Sequence, residues 1–245
     1  MMAAYQGTEL ELFATAKNWK SYVAASLRPY ISGRVLDVGA GIGGNIRYLA
    51  NATVTQWTAL EPDARLAATI EETLGTDQPP PVDCTVINGT IEDIAPRTTF
   101  DTILYMDVLE HIADDQREVA AAARLLAPGG CLVVLAPAHQ YLFSPFDTAV
   151  GHHRRYSLPA LRALTPVNAR TELCRLMDSV GFLASLANRA ILRQSDPTER
   201  QIRIWDRLMV RASRLLDPVA GYEIGKSALM VWRASQTPDL VVADV

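Results

Sequence analysis

Residues 34–48 read RVLDVGAGIGGNIRY, and the fold class follows from them. Val35, Leu36 and Val38 make a short apolar run of strand character. Gly39, Gly41, Gly43 and Gly44 come next, and Asn45–Ala50 has the character of a helix start. Without Cβ atoms the backbone of such a turn can take unusual φ/ψ values, and a ligand can press against it. The helix N-terminus behind it offers free N–H groups to a polar ligand. The spacing Gly39-x-Gly41-x-x-Gly44 also fits a dinucleotide fingerprint. The glycines therefore leave the ligand open, and Asp37 has to be weighed with them.

Outward from this turn, short apolar strands alternate with helices. Strands are expected at Arg34–Val38, Gln56–Leu60, Asp83–Ile87, Phe100–Tyr105 and Cys131–Ala136. Helices are expected at about Ala64–Leu74 and Asp114–Leu126, with loops at GTDQPPP from Gly75 and a turn at Pro128-Gly129-Gly130. That alternation means βαβ units and a buried parallel sheet. Ligands of such sheets sit at the carboxyl ends of the strands, where Asp37, Glu61, Thr90, Asp107 and His111 all fall. Upstream, Thr8–Leu27 reads as one helix, and its Trp19, Lys20 and Tyr22 suit either a lid over the ligand or packing on the sheet edge. Downstream, Ala138–Tyr156 is a long aromatic-rich loop, and loops of that length are usually functional. Ser157-Leu158-Pro159 reads as an N-cap and first turn. A strand at Thr171–Met177, helices at Ser179–Leu192 and Thr198–Leu216, and a closing strand at Lys226–Ala234 complete the chain.

The 245 residues suffice for a full core, and 49% hydrophobic with 20% charged residues describes an ordinary globule. A net charge of −4 carries no nucleic-acid signature. No apolar run reaches the ~20 residues of a membrane span, and the N-terminus lacks the features of a secretory signal. Cys84, Cys131 and Cys174 are far apart and read as small apolar residues of a reducing cytoplasm. No His/Cys/Asp cluster has metal-ligand spacing, so no metal is expected.

A dinucleotide loop must accept a doubly anionic pyrophosphate, which Asp37 at the end of strand one would oppose. A carboxylate there suits a cationic ligand without phosphate, such as S-adenosylmethionine, which carries an ammonium and a sulfonium. Glu61 ends strand two, and its two oxygens can accept from both hydroxyls of a ribose.

With these residues in place, the sequence resembles the class I S-adenosylmethionine-dependent methyltransferases. VLDVGAGIGG is similar to their first motif and ALEPD to the second; INGTIEDI, FDTILYMDVLEHI and LLAPGGCLVVLAP are similar to the later ones. The resemblance covers about residues 34–137. It implies an α/β, Rossmann-like, doubly wound sheet of seven strands, the last antiparallel, with helical lid and cap elements. It also implies one domain over 1–234: a lid helix at 1–30, a cofactor-binding core at 31–137 and acceptor-side elements at 138–225, with a flexible tail at 235–245. The cofactor contacts it implies are Trp19, Asp37, Gly39, Ala40, Gly41, Glu61, Pro62, Thr90, Ile91, Met106, Asp107 and His111. Thr90 stands where the family often has an acid, and it is a weaker acceptor for the adenine amine.

Methyl transfer to a hydroxyl or amine needs alignment and a base. His111, His152 and His153 are the candidate bases, since histidine titrates near neutrality. The acceptor is expected against Tyr141, Phe146, His152, His153, Arg154, Arg155 and Tyr156. Arg154 and Arg155 suit an anionic group on it, or else a salt bridge to Asp147. The closer resemblance is to bacterial enzymes of small-molecule and glycan pathways and names no acceptor. Other readings are a binding module without catalysis and a nicotinamide-dependent oxidoreductase. Arg200, Arg203, Arg207, Arg211 and Arg214 should share one face of the late helix, with Ile204, Trp205, Leu208, Ala212 and Leu215 on another. Such a helix could at most touch an anionic membrane surface; a cap helix with a solvated face is the plainer expectation.

Overall fold

The computed structural model describes residues 9–75, 80–189 and 198–236. Seven strands form one sheet: β1 (Gly33–Val38), β2 (Val54–Glu61), β3 (Cys84–Asn88), β4 (Phe100–Met106), β5 (Leu126–Pro137), β6 (Ala169–Met177) and β7 (Ser227–Ala234). Their order is β3-β2-β1-β4-β5-β7-β6. All neighbours are parallel except β7, which runs antiparallel to both β5 and β6. The expected α/β sheet with an antiparallel last strand is therefore present. The order reverses between β1 and β4, and the crevice above that point is where the glycine turn lies.

The helices are α1 (Glu9–Ala14), α2 (Lys17–Leu27), α3 (Ile46–Leu49), α4 (Ala64–Leu74), α5 (Asp115–Arg124), α6 (Pro145–Ala149), α7 (Leu158–Ala163), α8 (Ser179–Ala187), α9 (Glu199–Ile204) and α10 (Val210–Val219). A five-residue π stretch, Trp205–Met209, joins α9 to α10. The two faces of the sheet bury separate apolar clusters, one around Trp57, Leu104 and Val133, the other around Tyr105, Leu132 and Trp232.

Several boundaries differ from the sequence reading. The single helix expected over 8–27 is broken at Thr15 and Ala16 into α1 and α2. The Pro128-Gly129-Gly130 turn lies inside β5 as a bulge: Phe100 pairs with Leu126 and Thr102 with Cys131, so residues 127–130 are looped out. Ser157 caps α7 as expected, accepting from the Ala160 N–H. Ser235 is tied to Asn168 by its N–H, at 2.8 Å, rather than lying in a loose tail. The remaining tail from 237, residues 76–79 of the GTDQPPP loop and the end of the helix expected over 179–192 lie outside the described residues.

The late helix keeps its arginine row exposed but buries a different face. Ile204, Leu208 and Leu215 face solvent, whereas Ile202, Trp205, Asp206, Val210, Ser213 and Asp217 face the protein. Asp206 explains the phase. Its carboxylate accepts from the Asn18 N–H, the Asn18 side-chain amide and the Trp19 N–H. It thereby caps α2, whose own N-cap residue, Ala16, has no side chain able to do so. Asp217 does the same for α8, accepting from the Asp178 and Ser179 N–H groups. No helix among the described residues is long and apolar enough to cross a membrane.

Candidate active site

The cleft encloses about 2360 Å³. That exceeds the ~300–1,000 Å³ of a single small-molecule site and leaves room for two ligands. One end is built by the glycine turn and the strand ends of β1, β2 and β4. The other is built by residues 142–155, α8 and α9.

At the first end, Gly39 and Ala40 both donate backbone N–H to the Leu60 carbonyl, which pins the turn to β2. Gly39 has φ +65°, and a Cβ there would meet the Val108 methyls at 2.7 and 2.8 Å. Glu61 completes the turn: its Oε2 accepts from the Gly41 N–H at 2.8 Å and its Oε1 from the Asp63 N–H at 2.9 Å. Burial raises the Glu61 carboxyl above its ordinary pKa, and those two N–H groups oppose the rise. Gly39, Ala40, Gly41, Glu61, Pro62, Thr90, Ile91, Met106, Asp107 and His111 all line the cleft, with Trp19 and Lys20 of α2 over them. Trp19 lines the cleft and its ring also packs on Tyr22 and Trp205, so it is held by the helices around it. Thr90 is committed to a capping box with Asp93, to which its hydroxyl donates at 3.0 Å.

Asp37 departs from expectation. It is buried behind the turn and is absent from the cleft wall. Its two oxygens accept from the Asn45 amide at 3.1 and 3.2 Å, and it is Asn45 that reaches the cleft. Burial pushes the Asp37 carboxyl up to about 7, against the pull of the Asn45 hydrogen bond. Its part is to shape the turn from behind.

Asp107 stands at the junction of the two ends with φ 56°, a left-handed backbone uncommon in residues other than glycine. Enclosure pushes its carboxyl up to about 6, while His152, Lys226 and Lys20 pull it down. Beside it, Glu110 is fully buried, and neither carboxylate oxygen has a hydrogen-bond partner. Burial and the neighbouring Asp107 hold its carboxyl well above the usual range. The His111 and His152 rings meet edge to face with centroids 4.5 Å apart. Burial and the two neighbouring histidines hold His111 down to about 4.

Among the acceptor-side residues, Phe146, His152, His153 and Arg155 line the cleft; Tyr141, Arg154 and Tyr156 do not. Tyr141 is 52% exposed on the outside. Arg154 pairs with Asp115 at 2.6 Å, and the buried Tyr156 hydroxyl donates to the same carboxylate at 2.7 Å. Both therefore tie the long loop to the start of α5. Arg155 makes the salt bridge to Asp147: its Nε and Nη2 each donate to one carboxylate oxygen, both at 2.8 Å. Asp147 is fully buried and also accepts from His152 and from the Ser144 N–H and hydroxyl. These contacts hold its carboxyl far below the usual range despite burial. The long loop is thus a folded unit organised on Asp147. The sequence reading missed Asn45, Glu110, Trp205 and Lys226 in the cleft wall. Glu110 lies between Asp107 and His111, and Asn45 directly follows the glycine turn, so both had a local signal; Trp205 and Lys226 are joined to the cleft only by tertiary packing.

Residues 36–134 match the family model described as "Methyltransferase domain". A demethylmenaquinone methyltransferase of Tropheryma whipplei is 31% identical over 66% of this chain, and the match spans only 65% of that relative's own length. Among solved structures, coclaurine N-methyltransferase, bound to N-methylheliamine and SAH, superposes with a TM-score of 0.59 over 95% of this chain and 75% of that one, at 13% identity. The [4+2]-cyclase SpnF superposes with a TM-score of 0.57 over 90% of this chain and 81% of that one, at 20% identity. At such identities these structures speak to the fold alone. Motif order, sheet topology and family match agree that residues 36–134 form a class I S-adenosylmethionine-dependent methyltransferase domain on that family's fold.

Proposed function

We propose that this protein transfers a methyl group from S-adenosylmethionine to an O, N or C nucleophile of a small-molecule acceptor, a free metabolite or a glycan- or lipid-linked group. The observation that carries the reading is the match of residues 36–134 to a methyltransferase domain, whose glycine turn is held by Glu61, 2.8 Å from the Gly41 nitrogen, in a cleft with room for a second ligand. A carboxylate in that place accepts ribose hydroxyls, which S-adenosylmethionine and a dinucleotide both carry; the match of residues 36–134 to a methyltransferase domain favours the former.

The remaining residues fit the cofactor. Thr90 and Ile91 border the place for its adenine. Asp107 and Lys20 attract one another across the methionine end, and together they complement an amino-acid zwitterion. When bound, the cofactor supplies an electrophilic methyl on a sulfonium. The chain's task is to align the acceptor, exclude water and take a proton where the nucleophile carries one. His111, His152 and His153 are the proton acceptors that border the cleft. The far wall is largely apolar, with Leu142, Phe143, Phe146, Ile202 and Trp205. It therefore suits an acceptor with an apolar body and one polar, reacting end.

Calorimetry with S-adenosylmethionine, S-adenosylhomocysteine and NAD tests the cofactor. Binding of the first two is expected, and binding of NAD alone would overturn the reading. Release of S-adenosylhomocysteine in the presence of a panel of phenols, amines and glycosides then separates catalysis from mere binding.

A further inference from the structure

We propose that Glu110, His111 and His152 form a divalent-cation site between the two ends of the cleft. One donor atom from each of the three lies within 4.8 Å of the other two. Donors around one metal at bond lengths near 2.1 Å lie roughly 3–4 Å apart. The contraction needed is within reach of side-chain rotation.

Three observations point to a cation. First, Glu110 is a fully buried carboxylate without a hydrogen-bond partner for either oxygen. An isolated buried carboxylate is costly, so such a group holds a proton, is paired or binds a metal. Second, His152 is held as a ligand would be. Its Nδ1 lies 2.9 Å from Asp147 Oδ1. Asp147 is anchored by Arg155 and Ser144 and can only accept, so Nδ1 carries a hydrogen and Nε2 is the ring nitrogen left for a ligand. A carboxylate behind a ligating histidine is the usual outer partner that orients the ring. Third, that nitrogen faces Glu110 Oε1 at 3.9 Å, a pair that calls for something positive between them, a metal ion or a proton.

Two imidazoles and one carboxylate suit Zn²⁺, Mn²⁺ or Fe²⁺ better than a hard all-oxygen ion such as Ca²⁺. Three protein ligands leave positions open toward the cleft, where Asp107 also stands. An acceptor bearing a hydroxyl or carboxylate oxygen fits an open position, with His153 left as the proton acceptor. This role in acceptor binding rests on the methyl-transfer reading; the cation site itself does not.

The test uses the full chain without cofactor, stripped with chelator and titrated with Mn²⁺ or Zn²⁺ by calorimetry, with the Mn²⁺ spin signal as a second readout. One equivalent is expected to bind. Glu110→Gln and His111→Gln should each weaken binding at least 10-fold, while His139→Gln, which lies outside the cluster on the Gly225 carbonyl, leaves it unchanged. Circular dichroism confirms that each variant is folded, and two independent ligand variants guard against one that is not. Absence of stoichiometric binding of either ion would mean that a proton fills the gap, and the proposal would be wrong. Equal affinity in the wild type and a folded ligand variant would also overturn it. Cation binding without any methyl transfer would leave the site standing and count against the proposed activity alone.

Discussion

The Gly41 N–H donates to Glu61 Oε2 at 2.8 Å, so the turn after β1 and the end of β2 are closed on each other before any ligand arrives. The second oxygen accepts from Asp63, the residue that caps α4. Glu61 is thus a structural clasp and a cleft-facing acid at once. Glu61→Gln keeps the shape but sets an amide N–H₂ against one of two backbone N–H donors. Cofactor-product affinity should fall by roughly 10–150-fold, the worth of about 1.5–3 kcal/mol for a hydrogen bond to a charged group. Calorimetry with S-adenosylhomocysteine checks it, and unchanged affinity would remove Glu61 from the site.

Gly39 cannot carry a side chain. Its φ of +65° is left-handed, and a Cβ would sit 2.7 Å from a Val108 methyl. Gly39→Ala should destabilise the fold by about 2–4 kcal/mol, summing backbone strain and overpacking. Adding Val108→Ala should restore the steric part and leave the backbone part. Urea denaturation of the single and double variants separates them.

Asp37 makes stability depend on pH. Its carboxyl, raised from 3.8 to about 7 by burial, holds a proton in the fold that the unfolded chain releases near 3.8. The folded state therefore binds about one more proton between these values, and stability falls as pH rises through the window. The contribution is fully present below about 4 and lost by the time pH passes 7. Asp37→Asn should flatten that slope, leaving a variant relatively more stable than wild type at pH 8. Denaturation midpoints at pH 5 and pH 8 give the comparison; an identical slope in both proteins would contradict the assignment.

Asp147 holds the acceptor-side loop. Asp147→Asn leaves the Arg155 guanidinium, paired at 2.8 Å, without its charge partner. A loss of roughly 3–5 kcal/mol is expected for breaking a buried pair on one side. The loop should become more open to proteolysis before the sheet does. Limited digestion with cleavage mapped to residues 138–156 is the readout, and cleavage spread evenly over the chain would argue against a local role.

The strands of the parallel core were legible because each is a short apolar run bounded by glycine, proline or an acid; their order in the sheet is set by the tertiary fold. Most of the cleft wall at the glycine turn was legible for the same reason: Gly39, Glu61, Thr90 and Asp107 sit at strand ends, where such a sheet binds ligands. Asp37 was misplaced because a strand's alternation tells which side a residue points to, not what stands between it and the cleft. Tyr141, Arg154 and Tyr156 were misplaced because a 19-residue loop has no period from which to read direction. The phase of the late helix was misjudged because Asp206, a charged residue, is buried to cap a helix 187 residues away.

The sequence by itself determined the sheet and the glycine turn, since these depend on local periodicity and on residue types fixed by backbone geometry; the class of cofactor was implied by the resemblance of its motifs to a known family. The tertiary structure alone decided which acids face the ligand and which stand behind it. It also decided that Glu110, His111 and His152 meet although 41 residues separate His111 from His152 in the chain. The physical reason is that burial and charge pairing act through space. A carboxylate gains its role from the dipoles and charges packed around it, and those come from elements brought together only when the chain closes on its core.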